Sequence, residues 1–557
     1  MVNPVTVQTR VLVDELARGG VTEAVIAPGS RSAALAVAFA EHPDIRCHVR
    51  IDERSAAFLA LGLAKAGGRP VPVVCTSGTA AANFHPAVIE ADHSGIPLVV
   101  LTSDRPPELR GTGANQTMDQ LKLYGDAVRY FAELGVAEHR IGQVGYWRTT
   151  ICRALAAAAS GPVHLNLPFR EPLIPDGDED RWLEPTTGRP EGAPWTAVLS
   201  PVEHSEPLLA EFADPVERGL VVIGDNAAEP ERAVALAEAF GWPIISEATG
   251  NGRLGGNAIT CYSHLLADAE LLDRLRPEVI VTVGKPGLVK QLLRLYPVSH
   301  NIVVGPQTDW MDPTRTAATV VARLPRVTGR RSTGWLRSWQ RLEAIARDTL
   351  DRSLDEADEL SELRVARDLA VLAGEQSLIF VGSSMPIRLI DMTLPADTGT
   401  TVLTNRGVSG IDGCVSTAAG VALAHQAAGG GPAFALLGDL TLLHDQNGLL
   451  IGPHEPRPDL TIVVINNDGG GIFHLLPYNG AVDAFERLFA TPHGVDLSHV
   501  AAAMGWQYEL ATTSAEFAAA LKGGSTRLVE VRTERESSLN FLHSVREQLA
   551  AALTAEI

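Results

Sequence analysis

Short apolar runs recur along the chain: EAVIAP (23–28), VPVVCTSG (71–78), IPLVVLTSD (96–104), GLVVIGD (219–225), EVIVTVG (278–284), SLIFVGS (377–383), PAFALLGD (432–439) and LTIVVINND (460–468). None alternates between apolar and polar positions, which is how a parallel strand covered on both faces reads. Ala-rich helical stretches lie between them. The chain therefore reads as α/β, with doubly wound parallel sheets. Residues 56–104 and 416–468 follow one plan. Each has a small-residue helix closed by glycines, a strand, a Gly turn, a second helix and a strand ending in Asp. Residues 190–330 hold no equivalent copy. A Pro-, Gly- and acid-rich stretch at about 170–196 reads as a linker. Its DGDED run (176–180) lacks the EF-hand spacing and reads as solvated rather than calcium-binding. An acidic helix near 352–370 opens the last unit. These boundaries predict three doubly wound parallel-sheet domains, at 1–175, 190–335 and 355–557.

Composition narrows the function. With 46 Lys and Arg against 66 Asp and Glu, the net charge is −20. That argues against nucleic acid as a partner, because such binding rests on phosphate neutralisation. No apolar run of eighteen residues is present, so no membrane span is expected. The first residues lack a basic stretch followed by an apolar one, so no signal peptide is expected. The five cysteines are scattered without a CxxC pair, as expected of reduced thiols in the cytoplasm.

Two strand ends carry the first candidate chemistry. Asp439 follows PAFALLG, and Asn467, 28 positions later, follows LTIVVIN. Ligands bind parallel sheets at the carboxyl ends of strands. A carboxylate, an amide oxygen and a backbone carbonyl form a hard oxygen set suited to Mg2+, which takes its remaining ligands from water and phosphate; Mn2+ shares that preference. Gly469, Gly470 and Gly471 would let backbone approach a phosphate closely. Taken singly, Asp and Asn are also ordinary turn residues. Glu53 opens a predicted helix that Asp52 can cap and Gly67–Gly68 can end. An acid there also has a plain explanation in the helix dipole.

GDL (438–440) and NND (466–468) together resemble the thiamin diphosphate motif, usually GDG and then NN, with Leu440 standing in the third position. The resemblance implies a metal, Mg2+ or Mn2+, held by Asp439, Asn467 and the Gly469 carbonyl. It makes Glu53 the catalytic glutamate, which keeps the cofactor's pyrimidine ring protonated. APGSRSAAL, TSGTA, SDRPPELRGTGANQ, GSSMPIRLID and NRGVSGIDG extend the likeness in order from Pro28 to Phe473. Together they resemble the 2-succinyl-5-enolpyruvyl-6-hydroxy-3-cyclohexene-1-carboxylate synthase family of menaquinone biosynthesis, within the thiamin diphosphate-dependent 2-oxoacid decarboxylase fold. The block SDRPPELRGTGANQ argues against acetohydroxyacid synthase. The absence of a complete GxGxxG between strand and helix argues against a Rossmann dehydrogenase.

The family's reaction decarboxylates 2-oxoglutarate and adds the succinyl-semialdehyde carbanion to isochorismate. The match implies cofactor contacts from Glu53, Thr76, Gly410, Ile411, Gly438, Asp439, Leu440, Asn467, Gly469, Gly470, Gly471, Ile472 and Phe473. For the substrates it implies Ser30, Arg31, Ser32, Arg105, Gln116, Lys290, Ser384, Arg388, Arg406, Phe473 and Leu476. Arg388 and Arg406 are expected near the 2-oxoglutarate carboxylate, and Arg31, Arg105 and Gln116 nearer isochorismate. Gln291 stands where a further cation is common, with Lys285 as a possible substitute. A homodimer or homotetramer with sites at the subunit interface completes the expectation.

Overall fold

The computed structural model describes residues 3–174, 182–198, 216–306, 310–357, 359–477, 479 and 481–555. The acidic run at 176–180 lies outside the described residues. All eight apolar runs form strands, and every strand pairing is parallel. The first sheet runs β2 (Arg46–Val49), β1 (Glu23–Ile26), β3 (Val71–Cys75), β4 (Leu98–Asp104), β6 (Val163–Pro168), β5 (Tyr130–Glu133). The second runs β11 (Ala317–Val321), β10 (His300–Val304), β9 (Val279–Val283), β7 (Gly219–Ile223), β8 (Ile244–Ser246). The third runs β13 (Thr401–Thr404), β12 (Leu378–Val381), β14 (Ala433–Gly438), β15 (Leu460–Asn466), β17 (Arg527–Arg532), β16 (Gln507–Leu510).

Numbered within its own sheet, the first domain has the order 2-1-3-4-6-5, and so has the third. The two copies seen in the sequence are thus one topology used twice, while the described residues of the central domain form a five-stranded sheet of a different order. The copies also meet. Helix Glu53–Gly67 packs lengthwise against helix Cys414–Ala427. A Cβ on Gly62 would lie 2.3 Å from the Thr417 carbonyl oxygen, and one on Gly420 would lie 2.3 Å from that of Leu59. Only glycine permits backbones this close. Leu59 and Leu63 from one helix and Val415 and Val421 from the other join a single buried cluster across the two domains. The central domain is tied in separately, through Trp335 and Trp339 of helix Gly334–Asp355, which share a cluster with Val381 and Leu436 of the third sheet.

Some buried strands are not apolar. β6 reads VHLNLP, and its His164 and Asn166 are both buried. Thr102 Oγ1 lies 2.7 Å from His164 Nε2 and donates to Asn166 Oδ1 at 2.9 Å, while Asn166 Nδ2 donates to Asp104 Oδ2 at 2.9 Å. Burial lowers the His164 pKa to about 3, so the ring stays neutral. No helix among the described residues is long and apolar enough to cross a membrane.

Candidate functional site

In the third domain, β12 lies between β13 and β14, so the strand order reverses there, and such a point opens a crevice at the carboxyl ends of the strands. The chain turns at those ends into Ser383–Ser384, Gly438–Asp439 and Asn467. Gly438 is the last residue of β14 and Asp439 the first of helix Asp439–His444. The Asp439 side chain is buried. Its Oδ2 accepts the Gly469 N–H at 2.8 Å, and its Oδ1 accepts the Leu440 N–H at 2.6 Å. His493 Nε2 stands 3.3 Å from Oδ2. Burial pushes the Asp439 carboxyl up, and these N–H groups and His493 draw it back.

Asn467 sits one residue past β15. Its Nδ2 donates to Glu362 Oε1 at 2.9 Å. Its Oδ1 is buried and has no hydrogen-bond partner among the described residues. Glu362, fully enclosed at the start of helix Glu362–Leu372, also accepts Thr533 Oγ1 at 3.0 Å and Ser538 Oγ at 3.1 Å on the same oxygen. Burial raises its pKa, the three donors lower it, and the Asp439 charge raises it again. A carboxylate that only accepts hydrogen bonds fixes which end of the Asn467 amide faces it. The amide oxygen is left without a donor, on a residue that lines the same cavity as Asp439. A buried oxygen without a donor is costly, and this one fits a cation. Among the described residues no cluster of three His, Cys, Asp or Glu could hold a metal. An ion here would therefore need the mixed set of Asp439, Asn467 Oδ1 and a backbone carbonyl.

Gly438, Asp439, Leu440, Asn467, Gly469, Gly470, Gly471, Ile472 and Phe473 line one cavity of about 240 Å³, together with Ser384 and Ile411. A Cβ on Gly438 would meet nothing within 4 Å, so the cavity wall there is open. The glycine run also makes close contacts within the protein. A Cβ on Gly469 would lie 2.2 Å from the Ala490 carbonyl oxygen, and one on Gly470 would lie 2.7 Å from the Phe473 ring. These glycines admit neighbouring protein atoms. Gly410 accepts Ser383 Oγ on its carbonyl at 3.0 Å, which fixes the entry to Ile411. Leu476, two-fifths exposed, lies beyond the cavity wall.

The cations fall into two groups. Arg388 Nη1 donates to the Ser384 carbonyl at 2.6 Å. Burial lowers the Arg388 pKa, and the neighbouring Arg406 charge lowers it further. Arg406 Nε is buried without a partner among the described residues. Two partly buried guanidinium groups near enough to feel one another's charge suit a carboxylate. Ser384, at φ 72°, holds a left-handed backbone that costs energy outside glycine. The second group belongs to the first domain. Arg105 Nη1 donates to Ser77 Oγ at 2.6 Å, and Gln116 Nε2 to the Ser77 carbonyl at 2.9 Å. Gln116 also has a left-handed backbone, φ 54°. The Arg31 N–H donates to Thr76 Oγ1 at 3.3 Å, and its Nη1 to the Phe169 carbonyl at 3.0 Å. Burial lowers the Arg31 pKa and the Arg105 charge adds to it, so these two also converge. Ser30 is exposed. Ser32 is fully buried, with its hydroxyl turned to the Gly29 carbonyl at 3.1 Å.

Lys290 is exposed, on the loop that follows β9. Lys285 is not a spare substrate cation. Its Nζ donates to the Arg406 carbonyl at 3.1 Å and the Gly407 carbonyl at 2.6 Å, so its charge is already engaged by backbone. Glu53 stands half-buried at the head of its helix. Asp52 caps that helix through the N–H groups of Arg54 (2.9 Å) and Ser55 (3.3 Å), and Gly68 closes it at φ 61°. Glu53 faces an open groove of about 430 Å³ with Asn83, Asn447 and Leu450. No residue lines both this groove and the Asp439 cavity. Glu362 and His493 are site neighbours that the sequence reading missed. Each reads there as a helix-end, loop or turn residue.

Comparison with known proteins shows the family. Residues 8–123 match the family described as thiamine pyrophosphate enzyme, N-terminal TPP binding domain. Residues 188–381 match the middle domain of thiamine pyrophosphate enzymes, and 389–531 the C-terminal TPP binding domain. A 2-succinyl-5-enolpyruvyl-6-hydroxy-3-cyclohexene-1-carboxylate synthase of Thermobifida fusca is 55% identical over 99% of this chain and 100% of its own. Proteins of the same name are 47% identical in Saccharopolyspora erythraea, over 99% of both chains, and 40% identical in Bacillus velezensis, over 97% of both.

Proposed function

The chain belongs to the 2-succinyl-5-enolpyruvyl-6-hydroxy-3-cyclohexene-1-carboxylate synthase family, on the three-domain thiamine pyrophosphate enzyme fold, and from that premise we propose how its residues divide the work. It is a transferase of menaquinone biosynthesis. It takes 2-oxoglutarate, releases CO2 and joins the remaining four-carbon unit to isochorismate in a 1,4-addition. Thiamin diphosphate, when bound, supplies the nucleophilic carbon and the electron sink.

Asp439, Asn467 Oδ1 and the Gly469 carbonyl hold the divalent cation, Mg2+ or Mn2+, that accompanies the diphosphate. The observation that carries this assignment is the buried, donorless Asn467 oxygen at a strand end adjacent to that of Asp439, both residues lining one cavity. Glu53 and Thr76 contact the pyrimidine half, where Glu53 holds a proton at a ring nitrogen. Gly410 and Ile411 would support the cofactor's place, and Ile472 and Phe473 would keep water from it, with Leu476 outside the cavity wall where a substrate would enter. Arg388, Arg406 and Ser384 receive a carboxylate of 2-oxoglutarate. Arg31, Arg105 and Gln116 receive isochorismate, with Ser30 and Ser32 on the same turn and Lys290 at the rim.

Glu53 and Asp439 lie in separate cavities of one chain, which supports a homodimer or higher assembly with each site shared between subunits. The five free cysteines support a reducing, cytoplasmic setting. The test mixes the protein with Mg2+, thiamin diphosphate, 2-oxoglutarate and isochorismate, and follows isochorismate loss and product mass. Omitting any one component is expected to stop turnover, and Glu53→Gln to stop it with all present. Pyruvate replacing 2-oxoglutarate without loss of rate would overturn the assignment.

A further inference from the structure

The segment from Thr404 to Val408 belongs to the third domain, yet its backbone is held by charges from the other two. Glu90, on helix His85–Ser94 of the first domain, is buried. Its Oε1 accepts the Gly407 N–H at 2.8 Å and Ser94 Oγ at 2.9 Å, and its Oε2 accepts the Val408 N–H at 2.8 Å. Lys285, from the central domain, donates to the Arg406 and Gly407 carbonyls. Lys65 Nζ adds a bond to the Thr404 carbonyl. A Cβ on Gly407 would lie 2.7 Å from both the Glu90 carbonyl oxygen and Ser94 Oγ, so the segment is seated as closely as glycine allows.

Carboxylate on the N–H groups and ammonium on the carbonyls are charge-assisted bonds, roughly twice as strong as neutral ones. A surface turn is ordinarily satisfied by water and needs no buried carboxylate. The segment held in this way carries Arg406, whose Nε has no partner and whose neighbour is Arg388. A misplacement of about 1 Å in a carboxylate clamp costs on the order of a hundredfold in rate.

We infer that Glu90 and Lys285 are positioning residues for substrate selection: gripping the Arg406–Val408 backbone from two domains, they fix the Arg406 guanidinium where a dicarboxylate is told from a monocarboxylate. This rests on the assignment of Arg406 to the 2-oxoglutarate carboxylate. It gives the central domain, which lines neither the Glu53 groove nor the Asp439 cavity, a part in specificity.

The experiment compares 2-oxoglutarate with 2-oxopentanoate, which has a methyl in place of the distal carboxylate, on the holoenzyme with isochorismate. Lys285→Met is expected to lower kcat/KM for 2-oxoglutarate at least about tenfold, through KM, and to leave that for 2-oxopentanoate within about twofold. Combined with Arg406→Ala it is expected to add nothing further, because both changes remove one interaction. Glu90→Gln should shift the same ratio and carries the comparison should Lys285→Met fail to fold. An equal fall with both acids, or an additive double variant, would overturn the inference and leave a structural role only. A parent enzyme that does not prefer 2-oxoglutarate would instead overturn the assignment of Arg406 on which it stands.

Discussion

Glu362 lines the same cavity as Asp439 and holds Asn467 by its amide nitrogen, so it decides which atom of Asn467 is left for a cation. Its carboxylate takes the amide N–H2 at 2.9 Å and is anchored by Thr533 and Ser538. Glu362→Gln would keep size and shape but could donate as well as accept, so the Asn467 amide would lose its enforced orientation. The expected outcome is a Mg2+ affinity weaker by about 10–100-fold, the usual effect of an outer-shell partner. Titration calorimetry with thiamin diphosphate present measures this directly, and an unchanged affinity in a folded variant would refute the orienting role. Asp439 and Asn467 were legible in the sequence because each stands at the end of an apolar run, where a polar residue needs a reason. Glu362 was not. It lies 105 positions from Asn467, and an acid after Ser361 at a helix start already has sufficient explanation in capping and dipole. Lys285 was legible as a cation but not as one committed to backbone carbonyls, since spacing carries no information about where a flexible side chain turns.

Between elements, the decisive contact is the crossing of helices Glu53–Gly67 and Cys414–Ala427. Gly420→Ala would place a methyl 2.3 Å from the Leu59 carbonyl oxygen and 3.0 Å from the Gly62 Cα, both backbone atoms that cannot rotate away. The helices must then separate, and the domains bearing Glu53 and Asp439 with them. A loss of about 1–3 kcal/mol is expected from overpacking of this kind, read from urea denaturation; undiminished stability would mean the crossing is looser than its geometry. Here too the sequence told part of the story. The runs it marked are central strands, apolar on both faces. β6 and β17 escaped notice because polar residues interrupt them. Glu530 in RLVEVR is buried and accepts Asn466 Nδ2 at 2.7 Å and the Tyr508 hydroxyl at 2.5 Å. Such residues are tolerated inside only because partners far along the chain satisfy them, and no local pattern announces those partners. The repeated plan, by contrast, was legible, since two copies of one topology need the same turns at the same intervals.

At the scale of the whole molecule, Glu53 and Asp439, the two residues assigned to opposite ends of the cofactor, line separate cavities of one chain. The paired helices join the two domains of a chain through a shared core, and on the proposed reading Glu53 and Asp439 complete one another across subunits. Ile51, 70% exposed beside the Glu53 groove, is an apolar edge that a second subunit would cover. Complementation decides the matter. Glu53→Gln and Asp439→Ala chains are each expected to be inactive alone. In a dimer built from one of each, one site collects both lesions and the other collects neither. Co-expression with two different tags, followed by sequential purification on both, isolates that hybrid. It is expected to recover about half the activity of the parent dimer, because the unaffected site has its full set of transition-state contacts and interfaces of this sort are symmetric. A hybrid as inactive as its parents would place both groups of each site in the same chain, and the division of the cofactor between subunits would have to be abandoned.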